Sequence, residues 1–163
     1  MTTFGKVVKL PSLKKKLALL RRQGRVIAFT NGCFDILHYG HVSYLEAAKR
    51  KDRILIIGMN SDASVQGIKG PSRPIVPQDQ RAAVLAGLAC VDFVILFDEP
   101  TPYELIKSIQ PDILIKGADW KGKEVAGSDV VKANGGRVEF IRYVERLSTT
   151  NIVEKIRHQC TEK

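Results

Sequence analysis

The sequence predicts a doubly wound α/β domain, a parallel sheet of about five strands with helices on both faces. Five short apolar runs carry this expectation: VIAFT (26–30), ILIIGM (54–59), FVILF (93–97), ILIK (113–116) and VEFIR (138–142). They are rich in Val and Ile and nearly continuous, as strands covered on both faces are. Helical patterns separate most of them, and such alternation calls for right-handed crossovers. The length of 163 residues suits one domain with a real core.

Taken in order, LKKKLALLRR comes first, with Leu13, Leu17 and Leu20 at helical spacing and basic residues on the other face. Ser12 is its expected N-cap and Gly24 its stop, so residues 1–24 form an amphipathic helix segment ahead of a core over 25–157. After the first strand the pattern predicts a helix over 41–50, and further helices over 78–89, 102–109, 128–134 and 150–158. The stretch QGIKGPSRPIVP (66–77) is the longest irregular one, and its glycines and prolines predict an ordered or gated loop. No internal repeat, low-complexity segment or linker divides the chain.

The bulk numbers narrow the function. No stretch is long enough to span a membrane, and no secretory apolar segment opens the chain. Cys33, Cys90 and Cys160 are odd in number and scattered, which points to a reducing, cytoplasmic setting. The net charge of +9 favours anionic partners. Aromatic residues make up only 7% and are not interleaved with basic ones, so a base-stacking platform is poorly supported and no nucleic-acid partner is expected.

In a doubly wound sheet, ligands bind beyond the carboxyl ends of the strands, where strand order reverses. Polar clusters follow the first strand (NGCFDILHYGH), the fourth (KGADW) and the fifth (ERLSTT). With the first and fourth strands as neighbours, these clusters converge on one crevice.

His38 and His41 stand one helical turn apart. Zinc would need three or four ligands, and no E-x-x-H or C-x-x-C accompanies the pair, so no metal ligands are assigned. A capping or packing role is the plainer alternative. Phosphate binding explains more. Gly32 permits the turn after the strand, and the helix entered near Gly40 has free N–H groups whose dipole favours an anion. The two imidazoles add donors on the same side. Asp35 holds one imidazole or the entry turn in place, or caps a turn.

The segment resembles the H-x-G-H signature of the cytidylyltransferase-like nucleotidyltransferases, and LSTTNIVEKI resembles their S-[ST]-T signature before the last helix. Together with NSDASV, IKGPSRP, QRAAVLAGLACVDFVI, TPYELI, PDILIKGADW and VAGSDVVKANGGRVEFI, the run is similar to the adenylyltransferases of ADP-heptose synthesis. The resemblance implies a Rossmann-like nucleotidyltransferase fold of the α/β phosphodiesterase type. It also implies transfer of AMP from ATP to D-glycero-β-D-manno-heptose 1-phosphate for lipopolysaccharide core or surface glycan synthesis. It makes His38, His41 and Lys69 catalytic, and gives the nucleotide Gly32, Cys33, Phe34, Gly40, Asp119, Ser148, Thr149 and Thr150. Asp35, Arg81 and Trp120 fall to the sugar phosphate and Lys69 to the triphosphate, with Arg73 a weaker candidate for that same triphosphate region. ATP is then a substrate, Mg²⁺ arrives mainly on the nucleotide, a homodimer or higher homo-oligomer is expected, and a separate heptose kinase acts upstream.

Each of these residues has a plainer alternative. Ser148 is an ordinary N-cap, although three consecutive hydroxyls exceed what a cap needs; Lys69 is a solvated loop lysine; Arg81 is a surface ion-pair residue; Trp120 merely packs. Gly117, Gly122 and Lys123 match the spacing of a P-loop, but Glu124 stands where Ser or Thr must hold Mg²⁺, so that reading is rejected. The glycerol-phosphate and choline-phosphate branches carry an arginine and a threonine where this chain has Tyr143 and Val144, and Arg146 is the expected substitute. The rival readings are a glycerol-3-phosphate cytidylyltransferase-like or other small-substrate enzyme and, more remotely, a non-enzymatic nucleic-acid-binding domain.

Overall fold

The computed structural model describes residues 3–142 and 148–161; Tyr143, Val144 and Arg146 lie outside the described residues. The elements are α1 (Thr3–Lys6), α2 (Leu10–Arg22), β1 (Val26–Gly32), α3 (Tyr39–Ala48), β2 (Arg53–Asn60), α4 (Asp62–Lys69), α5 (Gln78–Gly87), β3 (Phe93–Phe97), α6 (Tyr103–Ile109), β4 (Ile113–Gly117), a 3₁₀ turn (Ala118–Trp120), α7 (Ser128–Ala133), β5 (Arg137–Ile141) and α8 (Thr149–Thr161). The strands form one sheet of five in the order β3-β2-β1-β4-β5, every pairing parallel. The chain therefore builds outward from β1 to β3, then returns past β1 to lay down β4 and β5. The reversal falls between β1 and β4, as the sequence predicts.

Strand alternation sends side chains to two cores. Ile27, Phe29, Ile54 and Ile56 meet Leu13 and Leu17 of α2 and Leu105, Ile106 and Ile109 of α6 on one face. Ala28, Leu55, Ile57 and Met59 meet Tyr44, Leu45 and Ala48 of α3 and Ala82, Leu85 and Ala86 of α5 on the other. Acidic side chains pin strand ends. Asp112 Oδ2 accepts from the Ile27 amide at 2.7 Å, and the Asp92 carboxylate accepts from the Leu55 amide and from Lys49. Among the described residues no helix is long and apolar enough to cross a membrane.

Two boundaries depart from expectation. Helix α2 begins at Leu10 with Lys9 as its N-cap, so Ser12 lies inside the helix and does not cap it. Pro11 in the first turn explains the earlier start, because proline brings a pre-set φ to positions whose N–H is unpaired anyway. Gly24 does end the helix, with φ +71°. The irregular stretch is also shorter than 66–77. Ser61 caps α4 by accepting from the Ser64 amide, Val65 anchors the helix in the interior, and the helix runs on through Lys69. The loop proper starts at Gly70, and Lys69 sits on a helix terminus.

Gly127, which precedes α7 with φ +82°, would place a Cβ 2.7 Å from Ile106. Gly127→Ala combines an unfavourable left-handed residue with overpacking and should lower unfolding stability by about 1–3 kcal/mol in a denaturant titration.

Candidate active site

The site begins with a loop whose backbone is disfavoured. After β1, Phe34 and Ile36 take φ values of +48° and +50°, a region costing a non-glycine residue on the order of 1–3 kcal/mol. Surrounding bonds over-determine it. Asp35, 2% exposed, accepts from the amides of Ile75 and Val76 at 2.9 Å each and from Arg73 Nε at 2.7 Å. Burial pushes the Asp35 carboxyl up, but those two amides and the guanidinium outweigh it, and its pKa lies below the ordinary carboxylate value. Both carboxylate oxygens are thus engaged by the 70–77 loop. Asp35 clamps the turn and does not hold an imidazole.

Arg81 completes the clamp. Its guanidinium donates to the carbonyls of Cys33, Val76 and Asn60 and to Asp62 Oδ1. At 2% exposure it is no surface ion-pair residue, which overturns that alternative. Gly32 lies tight against Phe34, and an added Cβ 3.2 Å from that ring would oblige the ring to give way by a few tenths of an ångström. That ring leans in turn on His41, centroids 5.3 Å apart.

His38 stands immediately before α3 in extended conformation, and its carbonyl accepts from the His41 amide at 2.9 Å. Gly40 is buried in the first turn. The two imidazoles stack with centroids 4.0 Å apart and planes 26° from parallel. Both Nδ1 atoms are buried without a hydrogen-bond partner among the described residues, a costly state that points to a ligand. Burial lowers the pKa of His38; burial and, secondarily, the His38 charge lower that of His41 to about 4, with Asp35 working in the other direction.

The start of α8 reaches this loop. Thr149 Oγ1 donates to the Asp35 carbonyl at 2.6 Å, while Ser148 Oγ accepts from the Asn151 amide as an N-cap does. The amino end of α8 is thereby tied to the loop that leads into the amino end of α3. Thr150 is exposed.

Beside them a cavity of about 590 Å³ opens over the carboxyl ends of β1, β2 and β4, lined by Asn31, Gly32, Cys33, Asn60, Lys116, Gly117 and Trp120. Trp120 stands half-exposed at this cavity, Asp119 is exposed, and Lys69 is exposed but close enough for its charge to act on the Cys33 thiol. Burial is the larger influence on that thiol and raises its pKa. Sequence reasoning assigned no site role to Asn31, Asn60 or Lys116, although Asn31 and Lys116 open two of the polar clusters expected at the crevice. Lys116 carried a signal, a charged residue closing an otherwise apolar strand; Asn31 and Asn60 carried none beyond their strand-end positions.

The cytidylyltransferase-like family profile matches residues 29–155. The chain is 52% identical over 145 residues to the bifunctional protein HldE of Syntrophotalea carbinolica, covering 89% of this chain and 30% of that protein. It is 58% identical over 138 residues to the bifunctional protein HldE of a Nitratiruptor species, covering 85% and 29%. The chain thus spans about a third of the length of these curated relatives. A crystal structure of the lipopolysaccharide core biosynthesis protein from Thermoplasma volcanium superposes with a TM-score of 0.59 at 28% identity, covering 73% of this chain and 96% of that one. With the profile spanning both helix amino ends, and with the sheet order and paired imidazoles described above, the chain belongs to the cytidylyltransferase-like family of nucleotidyltransferases.

Proposed function

We propose that this domain transfers AMP from ATP to D-glycero-β-D-manno-heptose 1-phosphate, giving ADP-heptose and pyrophosphate. The observation that carries the reading is the Thr149–Asp35 hydrogen bond, which joins the amino end of α8 to the loop leading into α3 and its imidazole pair. The similarity to proteins named HldE and to a lipopolysaccharide core biosynthesis protein supports the heptose acceptor. In this reading the product serves lipopolysaccharide core or surface glycan synthesis and a separate kinase supplies the 1-phosphate, a role that the same similarity supports only as heptose or lipopolysaccharide synthesis in general.

In this mechanism an acceptor phosphate oxygen attacks the α-phosphorus in line. The bond from that phosphorus to the β-phosphate bridging oxygen breaks, and pyrophosphate leaves. The attacking phosphate dianion has no proton to lose, so no general base is required. Catalysis rests on alignment and on donors aimed at the charge shared among the phosphates. His38 and His41 supply imidazole N–H groups, the amino ends of α3 and α8 supply backbone N–H groups, and Lys69 closes from the end of α4. The donors gathered here match phosphate oxygens, and Mg²⁺ in this proposal rides on the nucleotide as part of the substrate. Because the stacked imidazoles are neutral near pH 7, they act as oriented hydrogen-bond donors before any charge is exchanged.

Pyrophosphate release across ATP and CTP, each paired with heptose 1-phosphate and with glycerol 3-phosphate, should be robust for ATP with heptose 1-phosphate. Activity confined to CTP overturns the assignment. His41→Ala should cut turnover about 100-fold or more, the loss expected of a preorganised donor, and near-wild-type turnover would remove its catalytic role. The lowered His41 pKa also sets an acid dependence. The unfolded imidazole, near 6.5, takes up protons before the folded one, near 4, so His41 stabilises the fold fully above pH 6.5 and loses that contribution as pH falls toward 4. Urea titrations at pH 7, 5.5 and 4.5 should show this decline, and His41→Asn should flatten it.

A further inference from the structure

The charged side chains buried in this domain are matched by opposite charge, with one exception. Arg53 pairs with Glu139, Arg81 with Asp62, and Asp35 with Arg73, each at 2.7 Å. Lys116, 7% exposed at the carboxyl end of β4, has no carboxylate at ion-pair distance among the described residues. Its ammonium donates to Asn31 Oδ1 at 2.6 Å and lies 4.9 Å from the centre of the Trp120 ring. An amide oxygen and a ring face are weak compensation for a buried cation. Burial pulls its pKa down to about 8, against the opposing influence of Asp119.

The placement is specific. Pairing of β1 with β4 ends at Phe29 and Leu114, and Lys116 bridges to Asn31 on the same 85-residue offset, at the reversal of strand order. Both residues line the 590 Å³ cavity, which lies beside the imidazole pair and is linked to it through Gly32 and Phe34. A reaction that joins two phosphates must hold two polyanionic groups side by side. The neutral imidazoles and the helix amino ends make one pole of hydrogen-bond donors, and Lys116 makes a second, cationic one, inside a space large enough for a sugar.

We infer that Lys116 is a specificity-determining residue that binds the phosphate of the acceptor, with Asn31 orienting its ammonium. This rests on the nucleotidyl transfer proposed above and adds the acceptor subsite to it. Lys116→Met keeps the length and removes the charge. Calorimetric titration with heptose 1-phosphate should show binding weakened about 30-fold or more, the scale of losing one partner of a buried charge pair. The KM for the acceptor should rise in parallel, while the KM for ATP stays within about twofold. Lys116→Arg, which retains the charge, should keep most of the affinity, and Lys116→Gln gives the neutral readout should the methionine variant not fold.

Unchanged acceptor affinity in the neutral variants overturns the inference, as does a rise in the KM for ATP instead of the acceptor. Wild-type protein that fails to bind the sugar phosphate overturns both this and the transfer reading. Lys116-dependent binding without pyrophosphate release leaves the subsite standing and removes the reaction. Pyrophosphate release with an unaltered acceptor KM in Lys116→Met does the reverse.

Discussion

The buried carboxylate of Asp35 is the interaction on which the site depends. Its side chain gathers Arg73 and the amides of Ile75 and Val76, and its own carbonyl receives the Thr149 hydroxyl. One residue therefore joins segments separated by 38 to 114 positions in the chain. It does so from a loop in which neighbouring Phe34 and Ile36 take left-handed backbone angles. Such conformations persist only where the surroundings over-determine them, and Arg81 supplies the remaining constraint by holding the Cys33 and Asn60 carbonyls. The strain is local, and it sets the approach of the chain to α3 and hence the position of both imidazoles.

Electrostatics gives the site its direction. A doubly wound sheet places helix amino ends along the carboxyl edge of its strands, so unpaired N–H groups and positive dipole ends collect there. His38, His41 and Lys116 add side-chain donors at that same edge, and burial lowers the pKa of each. Imidazole nitrogens without partners and an ammonium facing only an amide and an indole are poor choices for stability alone. Together they suit the phosphate-binding role proposed for this edge. The net charge of +9, read as a bulk number, says far less than the placement of these few groups.

The segment 70–77 shows how one clamp couples two tasks. Arg73 and the amides of Ile75 and Val76 hold Asp35, while Pro77 leads into α5, where Arg81 turns back to grip the Cys33 and Val76 carbonyls. The loop leading into α3 and the 70–77 loop are consequently one unit of structure. Lys69, at the end of α4, enters that unit through a short hinge at Gly70, whose φ of +93° only glycine adopts readily.

The sequence alone determined the architecture. Five apolar runs long enough for strands, separated by helical periods, left a parallel doubly wound sheet as the economical solution, and H-x-G-H with S-T-T marked where its helices begin. Those signals are local: periodicity, glycine and hydroxyl residues act over a few positions. The tertiary structure decided what depends on distance across the fold. From the sequence Asp35 could hold an imidazole, hold the entry turn or cap a turn, and it binds a loop 40 residues away; Arg81 could be a surface ion-pair residue or, by resemblance, face the sugar phosphate, and it is buried among carbonyls; Lys116 stands in a polar cluster after the fourth strand with no role of its own to read. No local pattern encodes which carboxylate meets which guanidinium, or which ammonium is left without one. The Lys116–Asn31 contact arises only when β4 returns beside β1 and brings residues 85 positions apart together.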